Sequence, residues 1–253
     1  MIIRPIYNLL LLPDVSYYFK RDFFTDFGAE ELENGSDILF IFLKEEKESG
    51  EYTAEDFYPI GISARVDGFG EEDSVAVRTL NRVNITELTN EDGGLTASVS
   101  LRPEADDLTE EEAKQQFSQL RSSLLGFVQG YQWGLWARSF ILQRKNIHDL
   151  ACALADYLNL NAEEKYNILA ADSRKARYAM ISAAISEFME IAKVSEEAQN
   201  AQKDNQEQLY REAAIKKQID YLQRELDEMH PENISDVPRF EKKIQESSMT
   251  TEA

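Results

Sequence analysis

The sequence predicts an α+β protein: a small antiparallel β pseudobarrel, followed by a helical bundle that ends in one very long helix. Three observations predict it. Through the first hundred residues apolar and polar residues alternate at period two in separate runs. After Pro103 the apolar period becomes three to four. From Ser173 to Met229 there is neither proline nor glycine.

In chain order, Ile60, Ile62, Ala64 and Val66 alternate with Gly61, Ser63, Arg65 and Asp67, and Leu95, Ala97, Val99 and Leu101 alternate with Thr96, Ser98 and Ser100. Both read as half-buried strands. Val75–Val77 and Val83–Leu88 add others, and Ile38–Leu43, apolar on both faces, suits a central strand. Glu71–Asp73 and Asn90–Gly94 supply turns, and linkers this short favour antiparallel pairing. Thr109 with Glu112 forms a capping-box pattern ahead of a helix whose face carries Phe117, Leu120, Leu124, Phe127 and Tyr131. Asn146 and Asn161 are further N-cap residues, predicting short helices near 147–158 and 162–171.

The long helix carries two apolar blocks in one heptad register. Ile191, Val194, Ala198 and Ala201 can pack on the bundle. Asn205, Gln208 and Glu212 interrupt the seam, and Ile215, Ile219, Leu222, Leu226 and Met229 resume it. From Glu187 to Met229 a helix would be roughly 64 Å long, more than this chain can cover, so the second block is the candidate self-association stripe. The predicted organisation is thus 1–105 β-rich, 106–186 a helical bundle, 187–229 the long coiled-coil-like helix, and 230–253 a polar tail with a short helix around Phe240–Ile244.

Composition excludes several functions. A net charge of −20, with 47 acidic against 27 basic residues, repels phosphate backbones, so no nucleic-acid partner is expected. One cysteine, Cys152, and two histidines, His148 and His230, are too few for a disulfide framework or a Cys/His zinc site. Cys152, in an apolar stretch, reads as a small buried hydrophobe. No apolar run approaches a membrane span or a signal-peptide core, which predicts a cytoplasmic protein with no membrane partner. GxxxxGK[ST], GxSxG and SxxK are all absent, so no catalytic residue and no cofactor or metal is assigned.

Two aromatic features stand out. Tyr17, Tyr18, Phe19, Phe23, Phe24 and Phe27 cluster around Lys20–Asp22. Most such aromatics pack in a core, but Tyr17, Tyr18 and Phe19, together with Phe69 in a Gly-Phe-Gly turn, are the candidate substrate-binding residues at the tip of the β-rich part. Gly126, Gly130 and Gly134 recur among Phe127, Tyr131, Trp133 and Trp136. Three glycines would cost a helix about 3 kcal/mol, which predicts compensating close packing against a neighbour.

The chain resembles the N-terminal region of the Lon ATP-dependent protease. Leu9–Val15 resembles the family's opening strand and its Pro-Leu-Arg-Asp-Val stretch. Glu55-Asp56-Phe57-Tyr58-Pro59-Ile60-Gly61 is similar to its Asp-Leu-Tyr-x-Val-Gly run, and Leu80-Asn81-Arg82-Val83-Asn84-Ile85 to its Gly-x-x-Arg-Val-x-Ile. Asp149–Leu158, Glu163–Leu169 and Arg174–Arg177 resemble its helical segments. Tyr210–Leu226 resembles its long helix, and Phe240–Ile244 the segment just after that helix.

The resemblance implies a PUA-like barrel and a substrate-recognition and positioning module that binds unfolded or damaged proteins through apolar surface. The parent would be a hexameric, ATP-dependent serine endopeptidase in protein quality control, so neighbouring subunits are implied partners. Its ATPase and Ser-Lys protease domains are absent from this sequence, which makes the chain non-catalytic. The alternative is a standalone PUA-like barrel binding RNA or a small ligand. Residues 1–105 hold nine Lys and Arg against twenty-one Asp and Glu, a net of −12, and show no basic cluster for RNA.

Overall fold

A strand apolar on both faces needs cover on both, and residues 37–42 receive it. In the computed structural model, which describes residues 1–27, 32–47, 52–91, 94–131, 133–229, 240 and 243, β3 (Asp37–Phe42) sends Ile38, Phe40 and Phe42 into a large core and Leu39 and Ile41 into a smaller one on the other face. It lies between β1 (Ile2–Ile6) and β4 (Ile60–Phe69). β4 pairs with the eighteen-residue β5 (Ser74–Glu91). The other edge of β5 takes β2 (Ser16–Lys20) along Ser74–Arg78 and β6 (Gly94–Leu101) along Val83–Glu91.

The α+β class stands, with two differences in the sheet. It is mixed, because β1 and β3 run parallel, and among the described residues its strand path stays open between β1 and β6. The chain from β1 to β3 passes through β2 and a 3-10 turn (Arg21–Phe27), a connection long enough for a parallel return. Leu9–Val15, which resembles an opening strand, is not one. Leu10, Leu11 and Leu12 are buried outside any strand, and Tyr17–Phe19 belong to β2.

Five helices come next among the described residues. α1 (Glu110–Val128) starts at Thr109, whose hydroxyl accepts from Glu112 N while Glu112 reaches back to Thr109 N. α2 is Gly134–Leu142, α3 Ile147–Ala153 and α4 Ala162–Ala170. Asn146 and Asn161 cap the last two as predicted, and α3 gives way to turns before Leu158. The three glycines do not share a helix. Gly126 lies within α1, Gly130 in the link and Gly134 at the start of α2, where a Cβ would sit 2.1 Å from the Val128 carbonyl oxygen.

α5 runs from Arg174 to Met229, starting well before Glu187. Tyr178, Ile181, Ala184 and Ile185 pack it into the large core. The expectation that Ile191–Ala201 packs on the bundle is corrected: Ile191 is 50% exposed and Val194 62%, because the buried face ends at Phe188 and Met189. The chain forms two compact units, Met1–Ala192 and Lys193–Ala253. Sheet and short helices share one core inside the first unit. In the second, the described side chains from Glu197 to Met229 are exposed, and the helix carries a Glu212–Lys216 ion pair at 2.8 Å. Phe240 and Lys243 are helical, and His230, Pro231 and the rest of the tail lie outside the described residues.

Candidate functional site

The register across β5 separates the predicted β-tip residues. Tyr17, Val77 and Val66 lie in one row, Tyr18, Ala76 and Gly68 in the next, and Phe19, Val75 and Phe69 in a third. Strand alternation puts Tyr18 on the face opposite Phe19 and Phe69. Tyr17 is held on the core side. Its hydroxyl accepts from Leu12 N at 3.0 Å and lies 2.8 Å from its acceptor Cys152 Sγ. Burial raises the Tyr17 hydroxyl well above its ordinary range and pushes the Cys152 thiol up to about 12, so both stay protonated and Cys152 is no nucleophile. Phe19 stacks on Phe23 with ring centroids 4.6 Å apart and meets the fully buried Phe24 edge-on. Tyr18 is 76% exposed. Phe69 is 46% exposed, with the Arg21 guanidinium 5.6 Å above its ring. The five helix residues Ile215, Ile219, Leu222, Leu226 and Met229 are all exposed.

A polar cleft of about 460 Å³ opens beside β5, lined by Arg82, Arg102, Glu104, His148 and Arg174 among others. Its charges neutralise one another. Arg82, fully buried, donates to the carbonyls of Leu169, Ala170 and Ala171 at 3.1, 3.2 and 2.9 Å, tying β5 to the end of α4. Arg177, also buried, pairs with Glu104 and donates to the carbonyls of Ile168 and Ala171. Asp172 is held below its usual range, chiefly by Arg102. The arginines serve α4, whose last carbonyls have no glycine cap to satisfy them. No cluster of potential metal ligands occurs among the described residues.

An exposed apolar feature of the first unit lies elsewhere. A groove of about 360 Å³ runs between α1, α2 and the first part of α5, lined by Trp133, Trp136, Phe140, Tyr157 and Phe188 over a floor that includes Leu124. Trp136 stacks on Phe140 at 5.5 Å, and Tyr131 packs on Trp133 at 4.8 Å. Trp133 is 46% exposed and Trp136 64%, with Leu135 more open still. The close approach at Gly134 sets α2 against the end of α1 and so presents both indoles on one side. In the sequence these tryptophans read only as packing partners of the glycines. The available signal was the composition of α2, Gly-Leu-Trp-Ala-Arg-Ser-Phe-Ile-Leu, apolar at every position but Arg138 and Ser139 yet too short to be buried all round.

These features define an α+β domain with a mixed open sheet, a buried arginine hub and an aromatic groove. The chain belongs to the ATP-dependent protease La (LON) substrate-binding domain family, whose model matches residues 3–187. It is 22% identical over 253 residues to the Lon protease of Clostridium beijerinckii, covering 98% of this chain and 32% of that protein. It is 26% identical over 233 residues to the Lon protease of Buchnera aphidicola, covering 87% and 29%. The chain therefore spans about a third of the length of these relatives. Among solved structures, the N-terminal domain of Mycobacterium avium complex Lon protease aligns at TM-score 0.49 and 16% identity, over 74% of this chain and 97% of that one. The Lon N-terminal domain protein from Xanthomonas campestris aligns at 0.42 and 19%, over 72% and 96%.

Proposed function

We propose that this chain is the substrate-recognition and positioning module of an ATP-dependent Lon-type protease, and that it captures unfolded or damaged polypeptide through apolar surface while catalysing nothing itself. The family assignment supports the module. The groove with its two exposed tryptophans carries the rest, because an apolar groove of this kind accepts large apolar side chains that folded proteins keep buried. Tyr18 and Phe69 supply further contacts on the sheet. In this reading 1–105 and 106–186 together hold substrate, 187–229 connects to neighbouring subunits through the stripe from Ile215 to Met229, and the tail leads to the ATPase of a cytoplasmic parent.

Trp133 and Trp136 are the only tryptophans in the sequence, so intrinsic emission reports on the groove directly. Titration with a tryptophan-free unfolded chain, reduced and alkylated ribonuclease A, should shift the emission to the blue and saturate. Folded ribonuclease A, of similar charge, should leave it unchanged. An identical response to both forms, or no response to either, would refute the proposal.

A further inference from the structure

The longest edge strand of the sheet with neither charge nor proline is β6. Edge strands present unpaired N–H and C=O groups, and proteins protect them by short length, proline, charge or cover. β1 carries Arg4 and Pro5. β2 has five residues, ends in Lys20 and runs straight into a 3-10 turn. β6 has eight residues, Gly-Leu-Thr-Ala-Ser-Val-Ser-Leu, with no charge and no proline. Among the described residues it pairs with β5 alone; β1 comes close to it, but no ladder joins the two and the backbone groups of the β6 edge have no strand partner there. Leu95 and Ala97 anchor it to the smaller core, while Val99 and Leu101 stand 38% and 64% exposed.

We propose that β6 is a strand-addition site, where an extended stretch of unfolded polypeptide hydrogen-bonds along the free edge. This rests on the proposed capture of unfolded polypeptide and gives it a second contact, directed at backbone rather than side chain. Every second residue of β6 turns its N–H and C=O away from β5, so the edge can read any extended backbone whatever its sequence. Charge decides between occupants. A second copy of this chain brings another net charge of −20, and Glu87 lies on β5 beside the strand, so an extended neutral or basic peptide is favoured over self-pairing.

Hydrogen exchange of the whole chain tests this, with and without a twelve-residue peptide of alternating Val and Thr flanked by lysines. The peptide should slow exchange within 94–101 at least tenfold. The same peptide N-methylated throughout its core keeps its side chains but loses its donors, and should leave that segment unprotected. Val99→Lys, at an exposed position, should weaken the protection at least tenfold with an unchanged melting temperature. Unaltered exchange in β6 while tryptophan emission still responds to unfolded ribonuclease A would overturn strand addition and leave capture standing. Silence in both signals would overturn both. Protection that grows with protein concentration in the absence of peptide would show that a second copy takes the edge, against the proposal.

Discussion

Lowering the pH from 7.5 to 5 should destabilise the first compact unit through a single side chain, His148. Its Nδ1 lies 3.2 Å from the Pro13 carbonyl oxygen, and we assign the proton there. This leaves Nε2 buried without a partner. The ring packs edge-on against Tyr178, with centroids 5.8 Å apart. Burial, and after it the charge of Arg177, lower its pKa from 6.5 to about 4, against smaller opposing effects of the Pro13 carbonyl and Glu104. A histidine depressed in this way is neutral in the folded state while the unfolded chain takes up a proton. Its contribution is therefore complete above pH 6.5 and is lost as pH falls toward 4. A difference of 2.5 pKa units at 1.36 kcal/mol each sets an upper limit of about 3 kcal/mol, of which about 2 kcal/mol is lost by pH 5. Urea unfolding followed by far-UV circular dichroism at pH 7.5, 6 and 5 would measure it, for the wild type and His148→Gln. The variant starts less stable because it loses ring packing, but its stability should fall about 2 kcal/mol less over the same range. Carboxylates titrate equally in both proteins and cancel. Parallel pH profiles would refute the reasoning.

Gly126 has open space around its missing Cβ, so Gly126→Ala should stabilise α1 by up to about 1 kcal/mol, whereas Gly134→Ala, 2.1 Å from the Val128 carbonyl oxygen, should cost about 1–3 kcal/mol; thermal unfolding reads both. Arg82→Met should cost about 3 kcal/mol or more in urea unfolding, because it removes the donor to the α4 carbonyls and leaves Glu104 and Asp172 short of a partner. Sedimentation should show reversible, concentration-dependent association of the intact chain that is lost in a version ending near Gln206, since that version lacks the stripe from Ile215 to Met229; monomers in both would refute the self-association reading.

What the sequence could reveal depended on how local the cause was. The capping boxes at Thr109 and Asn161 are written within four residues, and the two-sided apolar pattern of Ile38–Leu43 directly encodes a central strand. The parallel pairing of β1 with β3 is set by a connection of some thirty residues, which no local period records. Tyr17 is aromatic like Tyr18, and only the fold brings Cys152 within 2.8 Å of its hydroxyl and commits it to the interior. Arg82 sits inside a motif-like run, yet its partners come from α4, far along the chain. The groove is hidden in the sequence for a similar reason. Trp133 and Trp136 are close in sequence, but Tyr157 and Phe188 reach them only through helix packing. Heptad spacing at Ile191 and Val194 was misleading, because periodicity describes a stripe without saying what covers it.

Capture of unfolded polypeptide by the tryptophan groove is the central claim. Fluorescence anisotropy of dye-labelled, reduced and alkylated ribonuclease A, titrated with the wild type and with Trp136→Ser, measures this directly. Trp136 is 64% exposed, so the substitution should leave the melting temperature within a degree or two while weakening binding at least tenfold, the effect of removing an aromatic anchor from an interface. Equal affinity for the two proteins, with both folded and of equal stability, would contradict the central claim and place capture outside the groove.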